Sequence, residues 1–137
     1  MLRIRIATHS DAEAGSRVLR HSIEQLCQAD HADDASVIAR WIENKTPARL
    51  HEWVDHDGAS LYVAEAGHLL GVGMIANDGE IMLNYVSPDA RWQGVTKAML
   101  AHMETEARRA GLTRCTLATT KTARAFYELR GRRLSAC

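Results

Sequence analysis

Val86-Ser87-Pro88-Asp89-Ala90-Arg91-Trp92-Gln93-Gly94-Val95-Thr96-Lys97 joins two kinds of sequence period. Upstream, Glu80 to Val86 reads as a strand that ends at Ser87-Pro88. Downstream, Leu100, Met103, Ala107 and Ala110 recur at helical spacing, so Gln93 to Ala110 reads as a helix with Glu104 and Arg108 paired on its other face. A strand followed by a glycine-containing loop that opens a helix gathers backbone N–H groups at a positive helix end. Such an end binds phosphate oxygens. Gly94 lets the backbone approach an anion closely, Thr96 can add a hydroxyl, and Arg91 and Lys97 bring local positive charge. Lysine occurs only at 45, 97 and 121, which gives Lys97 added weight. The same residues also fit an ordinary helix with a glycine in its entry loop, and local chemistry leaves both readings open.

On the N-terminal side, Leu2, Ile4 and Ile6 alternate with Arg3 and Arg5, a strand with one wet face. Ser10 or Asp11 can cap a helix carrying Leu19, Ile23 and Leu26, and Asp33 or Asp34 a second carrying Val37, Ile38, Trp41 and Ile42. Thr46-Pro47 opens a short helix with Leu50, Trp53 and Val54. The period then becomes extended: Leu61 to Ala64 and His68 to Ala76 read as a hairpin, and Asn77-Asp78-Gly79 is a strong turn before Glu80. Gly71-Val72-Gly73 reads as a bulged strand, since it lacks the third glycine and the following helix of a dinucleotide fingerprint. After Gly111, which stops the long helix, Cys115 to Ala118 reads as a short buried strand and Thr122 to Leu129 as a helix closed by Gly131. The order predicts a single domain, residues 1–137, with a mixed α/β sheet.

Composition removes several functions. With 46% hydrophobic and 25% charged residues over 137 positions, the chain is sized for one domain with a real core. Lys+Arg and Asp+Glu both total 17, so no global field draws it to nucleic acid or an anionic membrane. The longest apolar run, Leu69 to Ala76, holds two glycines and falls far short of the ~20 residues of a membrane helix. Cys27, Cys115 and Cys137 have no paired spacing and nothing near Met1 reads as a signal peptide, so a cytoplasmic protein is expected. His51 and His56 are five apart, not the four that align on a helix, and no metal is expected.

Two segments resemble one family. Arg91-x-x-Gly94-x-Thr96, after a strand ending Val-x-Pro, looks like the Arg/Gln-x-x-Gly-x-Gly/Ala signature of the GNAT superfamily of N-acetyltransferases. Ala123-Arg124-Ala125-Phe126-Tyr127-Glu128-Leu129-Arg130-Gly131 is similar to the Ala-x-x-Phe-Tyr-Glu-x-x-Gly segment of the same superfamily. Thr96 departs from the usual small residue, and the element order matches from Leu2 to Gly131. The resemblance implies a mostly antiparallel sheet with a splay between the fourth and fifth strands and helices on both faces.

It also implies a function: transfer of an acetyl group from acetyl-CoA to an amine, a small molecule or a protein amino group, by direct attack in a ternary complex. Residues Arg91, Trp92, Gln93, Gly94, Val95, Thr96 and Lys97 would hold the CoA pyrophosphate, with Thr119 and Phe126 also on the cofactor. The strand before them would splay through a bulge, so that backbone groups around Asn84, Tyr85 and Val86 pair with the pantetheine arm and polarise the thioester. Tyr127 matches the tyrosine near the CoA sulfur, and Glu80 sits where relatives often keep a carboxylate that accepts the amine proton through a water. Such a base is needed because a free alkylamine has a pKa near ~10.4. Cys27, Asp30 and His31, with Asp33 and Asp34, fall where the acceptor site should lie, and an acidic rim would suit a cationic amine; helix capping explains the aspartates equally well. The family normally continues past Gly131 with two more strands, whereas Arg132 to Cys137 fit one at best. Truncated C-terminal strands would leave an open sheet edge, which predicts a homodimer and keeps a non-catalytic acyl-CoA-binding module as the alternative.

Overall fold

The structure, a computed structural model, describes residues 2–26, 39, 43, 45–90, 93–117 and 125–128. Six strands form one sheet in chain order: β1 (Arg3–Ile6), β2 (Ala59–Glu65), β3 (Leu69–Ala76), β4 (Glu80–Val86), β5 (Arg114–Leu117) and β6 (Ala125–Glu128). Neighbours run antiparallel except β4 and β5, which are parallel. Among the described residues, α1 (Ala12–Leu26), α2 (Pro47–Val54) and α3 (Val95–Arg109) cover it.

The alternation of β2, β3 and β4 divides the core in two. On one face Leu19, Ile23 and Leu50 from α1 and α2 pack with Leu61, Val63, Val72, Leu83 and Tyr85. On the other Val95, Met99 and Met103 from α3 pack with Tyr62, Ala64, Ile75, Ile81 and Cys115. The sheet is thus the middle layer of a helix–sheet–helix sandwich, and both apolar faces leave water.

Local chemistry accounts for several boundaries. Thr46 caps α2, its hydroxyl accepting the Arg49 N–H at 3.2 Å, with Pro47 at the first helical position. Asp78 accepts the Glu80 N–H at 3.0 Å and the Gly79 N–H reaches Ala76 O at 2.9 Å, which closes the turn between β3 and β4. Neither Ser10 nor Asp11 caps α1 as its sequence suggested. Asp11 ends a 3₁₀ turn, His9–Asp11, and its carboxylate accepts the Thr8 N–H at 2.8 Å.

Four expectations are corrected. β1 has no single wet face: the Arg3 side chain is 68% and Ile6 54% exposed, while Arg5 is partly buried and forms paired hydrogen bonds to Asp11 at 2.8 and 2.9 Å. Glu65 joins them, bonding Arg5 at 3.0 Å and Arg3 at 2.8 Å. Within Gly71-Val72-Gly73 both ladders run unbroken, and the irregularity of β3 lies one residue earlier, at Leu70, between the pairs Ala64↔Gly71 and Glu65↔Leu69. The glycines are there for α3. A Cβ on Gly73 would lie 2.6 Å from Met99 Cγ, and one on Gly71 2.8 Å from Val95 Cγ1. The long helix starts at Val95 rather than Gln93, because Gly94 takes a left-handed conformation that a helical residue cannot have. Finally, Ala125–Glu128 is a strand and not part of a helix over 122–129. Paired in register with Leu117 to Arg114, it satisfies backbone groups along β5, and Phe126 and Tyr127 suit a pleated ladder. The expected helix of residues 33–42 has only Ala39 among the described residues.

Candidate active site

The β4–β5 ladder is short. Glu80 pairs with Thr116 and Ile81 with Leu117, and among the described residues no further pair follows, although β4 continues for five residues to Val86. On its other side β4 stays joined to β3 through Leu83, Asn84, Tyr85 and Val86. Between the pairs Met74↔Leu83 and Ile75↔Ile81, one extra residue of β4, Met82, is pushed out of register and stands 41% exposed. This is a β-bulge, which bends its strand. The bulge lies just beyond the last described β5 pair, on the half of β4 where the resemblance implied a splay.

Beyond Val86 the chain is turned onto α3 by short bonds: Ser87 N–H to Leu70 O at 2.7 Å, Ala90 N–H to Ser87 O at 2.9 Å and Gln93 N–H to Ala90 O at 3.2 Å. Gly94 then stands as N-cap at φ 81°, a conformation costly for any side-chain-bearing residue. Having no side chain, it supplies no capping oxygen. The bond from Ala98 N–H to Gly94 O at 3.0 Å comes after the N–H groups of Val95, Thr96 and Lys97. The positive end of a 15-residue helix thus lies beside the C-terminal half of β4 with no side-chain cap. That place suits an anion with a strand-like arm attached: phosphate oxygens at the helix end, amide groups along β4.

One contact ties the two parts together. The Asn84 side chain, 3% exposed, donates from Nδ2 to Thr96 O at 3.1 Å. Sequence reading assigned Asn84 to the site only through its backbone. The available signal was an amide inside the otherwise apolar run Ile81 to Val86.

The expected site residues fall into separate groups. Asn84 meets Thr96 and Val86 packs on the core that holds Val95, whereas the Tyr85 side chain lies on the opposite face; Gln93 stands in the entry turn before Gly94. Glu80 lies at the other end of β4, positioned by the Asp78 turn and by the Thr116 N–H bonded to Gly79 O at 3.1 Å. Tyr127 pairs with Cys115 and Phe126 with Thr116, so both are level with the Glu80 end. At ~3.3 Å per residue, Tyr127 is level with a point roughly 20 Å along β4 from Val86. The structure does not bring Tyr127 to the Val86 end of β4. Arg91, Trp92, Thr119, Cys27, Asp30 and His31 lie outside the described residues.

On the α1 face a cleft of about 220 Å³ opens beside Ser87, lined by Arg17, His21, His68 and Asp89 among others. Its walls carry both Arg17 and Asp89, and the acidic rim expected at Asp30, Asp33 and Asp34 lies outside the described residues. Among the described residues no group of three or more His, Cys, Asp or Glu could hold a metal ion, and no helix is long and apolar enough to cross a membrane.

Comparison with known proteins agrees with this geometry. The family model described as an acetyltransferase (GNAT) domain matches residues 18–134. No curated protein matches the chain. Among solved structures, the PaiA N-acetyltransferase of Thermoplasma acidophilum, in complex with coenzyme A, is similar at 23% identity and a TM-score of 0.73, over 85% of this chain and 78% of that one. A GCN5-related N-acetyltransferase of Rhodopseudomonas palustris is similar at 22% identity and a TM-score of 0.76, over 85% and 72%. A ribosomal-protein-alanine N-acetyltransferase of Brucella melitensis is similar at 23% identity and a TM-score of 0.64, over 84% and 72%. At these identities the likeness of structures speaks for the fold, and the family model carries the assignment. With a match over most of its length and a mostly antiparallel sheet covered by helices on both faces, the chain belongs to the GNAT acetyltransferase family.

Proposed function

We infer that the protein transfers an acetyl group from acetyl-CoA to an amine, a small molecule or a protein amino group. The observation that carries this reading is the α3 end without a side-chain cap beside the C-terminal half of β4. The diphosphate would take N–H groups of the first α3 turn, with Lys97 and Arg91 supplying charge and Gly94 the close approach. The arm would lie along Asn84 to Val86, and a backbone N–H there would hold the oxyanion that forms as the amine attacks the thioester carbon. Glu80 would be the base that takes the amine proton through a water, after which thiolate leaves. For Tyr127 as hydrogen-bond donor to that sulfur, and for Thr119 and Phe126 on the cofactor, the sequence motif is the support and the strand pairing of residues 125–128 is not.

Titration calorimetry with acetyl-CoA tests the cradle: no heat at millimolar ligand ends the reading. Thiol release followed across a panel of amines then separates enzyme from binding module, since binding without release on any acceptor favours the module. A homodimer and a cytoplasmic location belong to the same proposal. Sedimentation at monomer mass across micromolar concentrations removes the dimer.

A further inference from the structure

Asn84 has a buried oxygen with no hydrogen-bond partner in the structure. Its side chain lies on the α3 face of β4, and because Nδ2 faces the Thr96 carbonyl, the amide cannot be turned round without setting oxygen against oxygen. Oδ1 is left as the acceptor, and it is the only fully buried side-chain nitrogen or oxygen without a partner among the described residues. Other polar side chains near the sheet are satisfied: Asp11 accepts from Thr8 and Arg5. Buried acceptors in folded proteins nearly always have a donor, so an exception needs an explanation.

The surroundings supply one. Asn84 lies on the part of β4 beyond the last described β5 pair, two residues from the bulge and in contact with the first turn of α3. A ligand that put its phosphates on that turn and ran its arm along β4 would carry amide N–H groups past this position. Resting on the acyl-CoA reading above, we propose that Asn84 is a specificity residue for the arm: Oδ1 accepts an amide N–H of the pantetheine chain while Nδ2 holds the helix end through Thr96. One carboxamide would then set the spacing between the diphosphate and the thioester, and the acyl donor would be recognised by its amides as well as by its charge.

The test uses the full chain and three ligands: acetyl-CoA, analogues with an ester oxygen in place of one or other arm amide N–H, and 3′-phospho-ADP, which has the diphosphate and no arm. Wild type is expected to bind acetyl-CoA about tenfold more tightly than one of the two ester analogues, the scale of one buried hydrogen bond. Asn84→Leu also loses the Thr96 bond and is expected to weaken 3′-phospho-ADP to that extent, to weaken acetyl-CoA by about the tenfold factor beyond it, and to stop distinguishing amide from ester there. An equal loss for acetyl-CoA and 3′-phospho-ADP would overturn the proposal, because Asn84 would then only seat the helix. Undiminished discrimination in Asn84→Leu overturns it as well. Where thermal melting finds that variant unfolded, Asn84→Ser replaces it, and a wild type indifferent to both ester analogues refutes the proposal without any variant. Wild type binding neither acetyl-CoA nor 3′-phospho-ADP overturns the acyl-CoA reading itself.

Discussion

Replacing Gly73 with alanine adds one methyl group where α3 crosses β3. The new Cβ would stand 2.6 Å from Met99 Cγ, 2.7 Å from its sulfur and 3.3 Å from Met103 Cε. Met99 is 1% and Met103 0% exposed, so neither side chain can swing into solvent. Overpacking of this kind costs about 1–3 kcal/mol. With an unfolding entropy of about 2.1 cal/mol/K per residue over 137 residues, a loss of about 2 kcal/mol lowers Tm by about 7 °C. The first turn of α3 also holds the proposed cradle, so relief of the clash by shifting α3 should weaken acetyl-CoA binding in parallel. Calorimetric melting of Gly73→Ala, Met99→Ala and the double variant separates the terms. Met99→Ala alone costs about 2–5 kcal/mol through its cavity, and the added methyl then has space, so the double variant should be about 1–3 kcal/mol more stable than the sum of the single losses. A Gly73→Ala protein melting within about 1 °C of wild type, or strictly additive losses, would refute the close-approach account.

Acid stability should depend on Asp11. The Arg5 hydrogen bonds are the largest influence holding its carboxyl below the usual range, with the Thr8 N–H adding to them against the opposing effect of burial. A lowered folded-state pKa contributes stability above the unfolded value near ~3.9 and loses it as pH falls through the folded one. Denaturant midpoints should therefore be flat in this contribution from pH 5 to 8 and fall below about pH 4, and Asp11→Asn should cost about 1–3 kcal/mol at pH 7 with a shallower acid limb; an unchanged limb removes Asp11 as its source. Gly94→Ala places a methyl group at φ 81° and should cost about 1–2 kcal/mol while weakening acetyl-CoA binding, and wild-type affinity would show that the cradle does not need this backbone conformation. Tyr127→Phe should lower turnover with CoA affinity nearly unchanged; an unaltered rate in the thiol-release assay takes Tyr127 out of the mechanism.

What could be read from sequence was the part governed by neighbours in the chain. The Asn77-Asp78-Gly79 turn and the Thr46-Pro47 helix start are local hydrogen-bond chemistry, and both lie where their residues put them. The glycines of β3 were misread because their reason is spatial: Gly73 makes room for Met99, 26 positions on. Arg5 looked solvated for the same cause, its partners Asp11 and Glu65 being supplied by a turn and a neighbouring strand. Around Phe126 the helix-forming Ala, Glu, Leu and Arg suggested a helix, and pairing with β5 prevailed over that preference. At the site, the glycine-containing entry to the long helix was legible, and Gly94 stands at its start. Nothing in the spacing signalled that the Asn84 amide points inward to Thr96.

The parallel joint between β4 and β5, two rungs among the described residues, also has a mechanical side. Strands β1 to β4 are laddered antiparallel and clamped by helices on both sides, whereas the described ties of the β5–β6 ribbon to them are that joint, the Thr116 N–H to Gly79 O bond and the buried Cys115. A weakly fastened ribbon opens at a lower free energy than the rest, and its amide protons exchange sooner. A ligand wedged between β4 and β5 would touch both pieces and raise the cost of parting them. That joint would then make the slowing of exchange along Arg114–Leu117 a direct readout of occupancy.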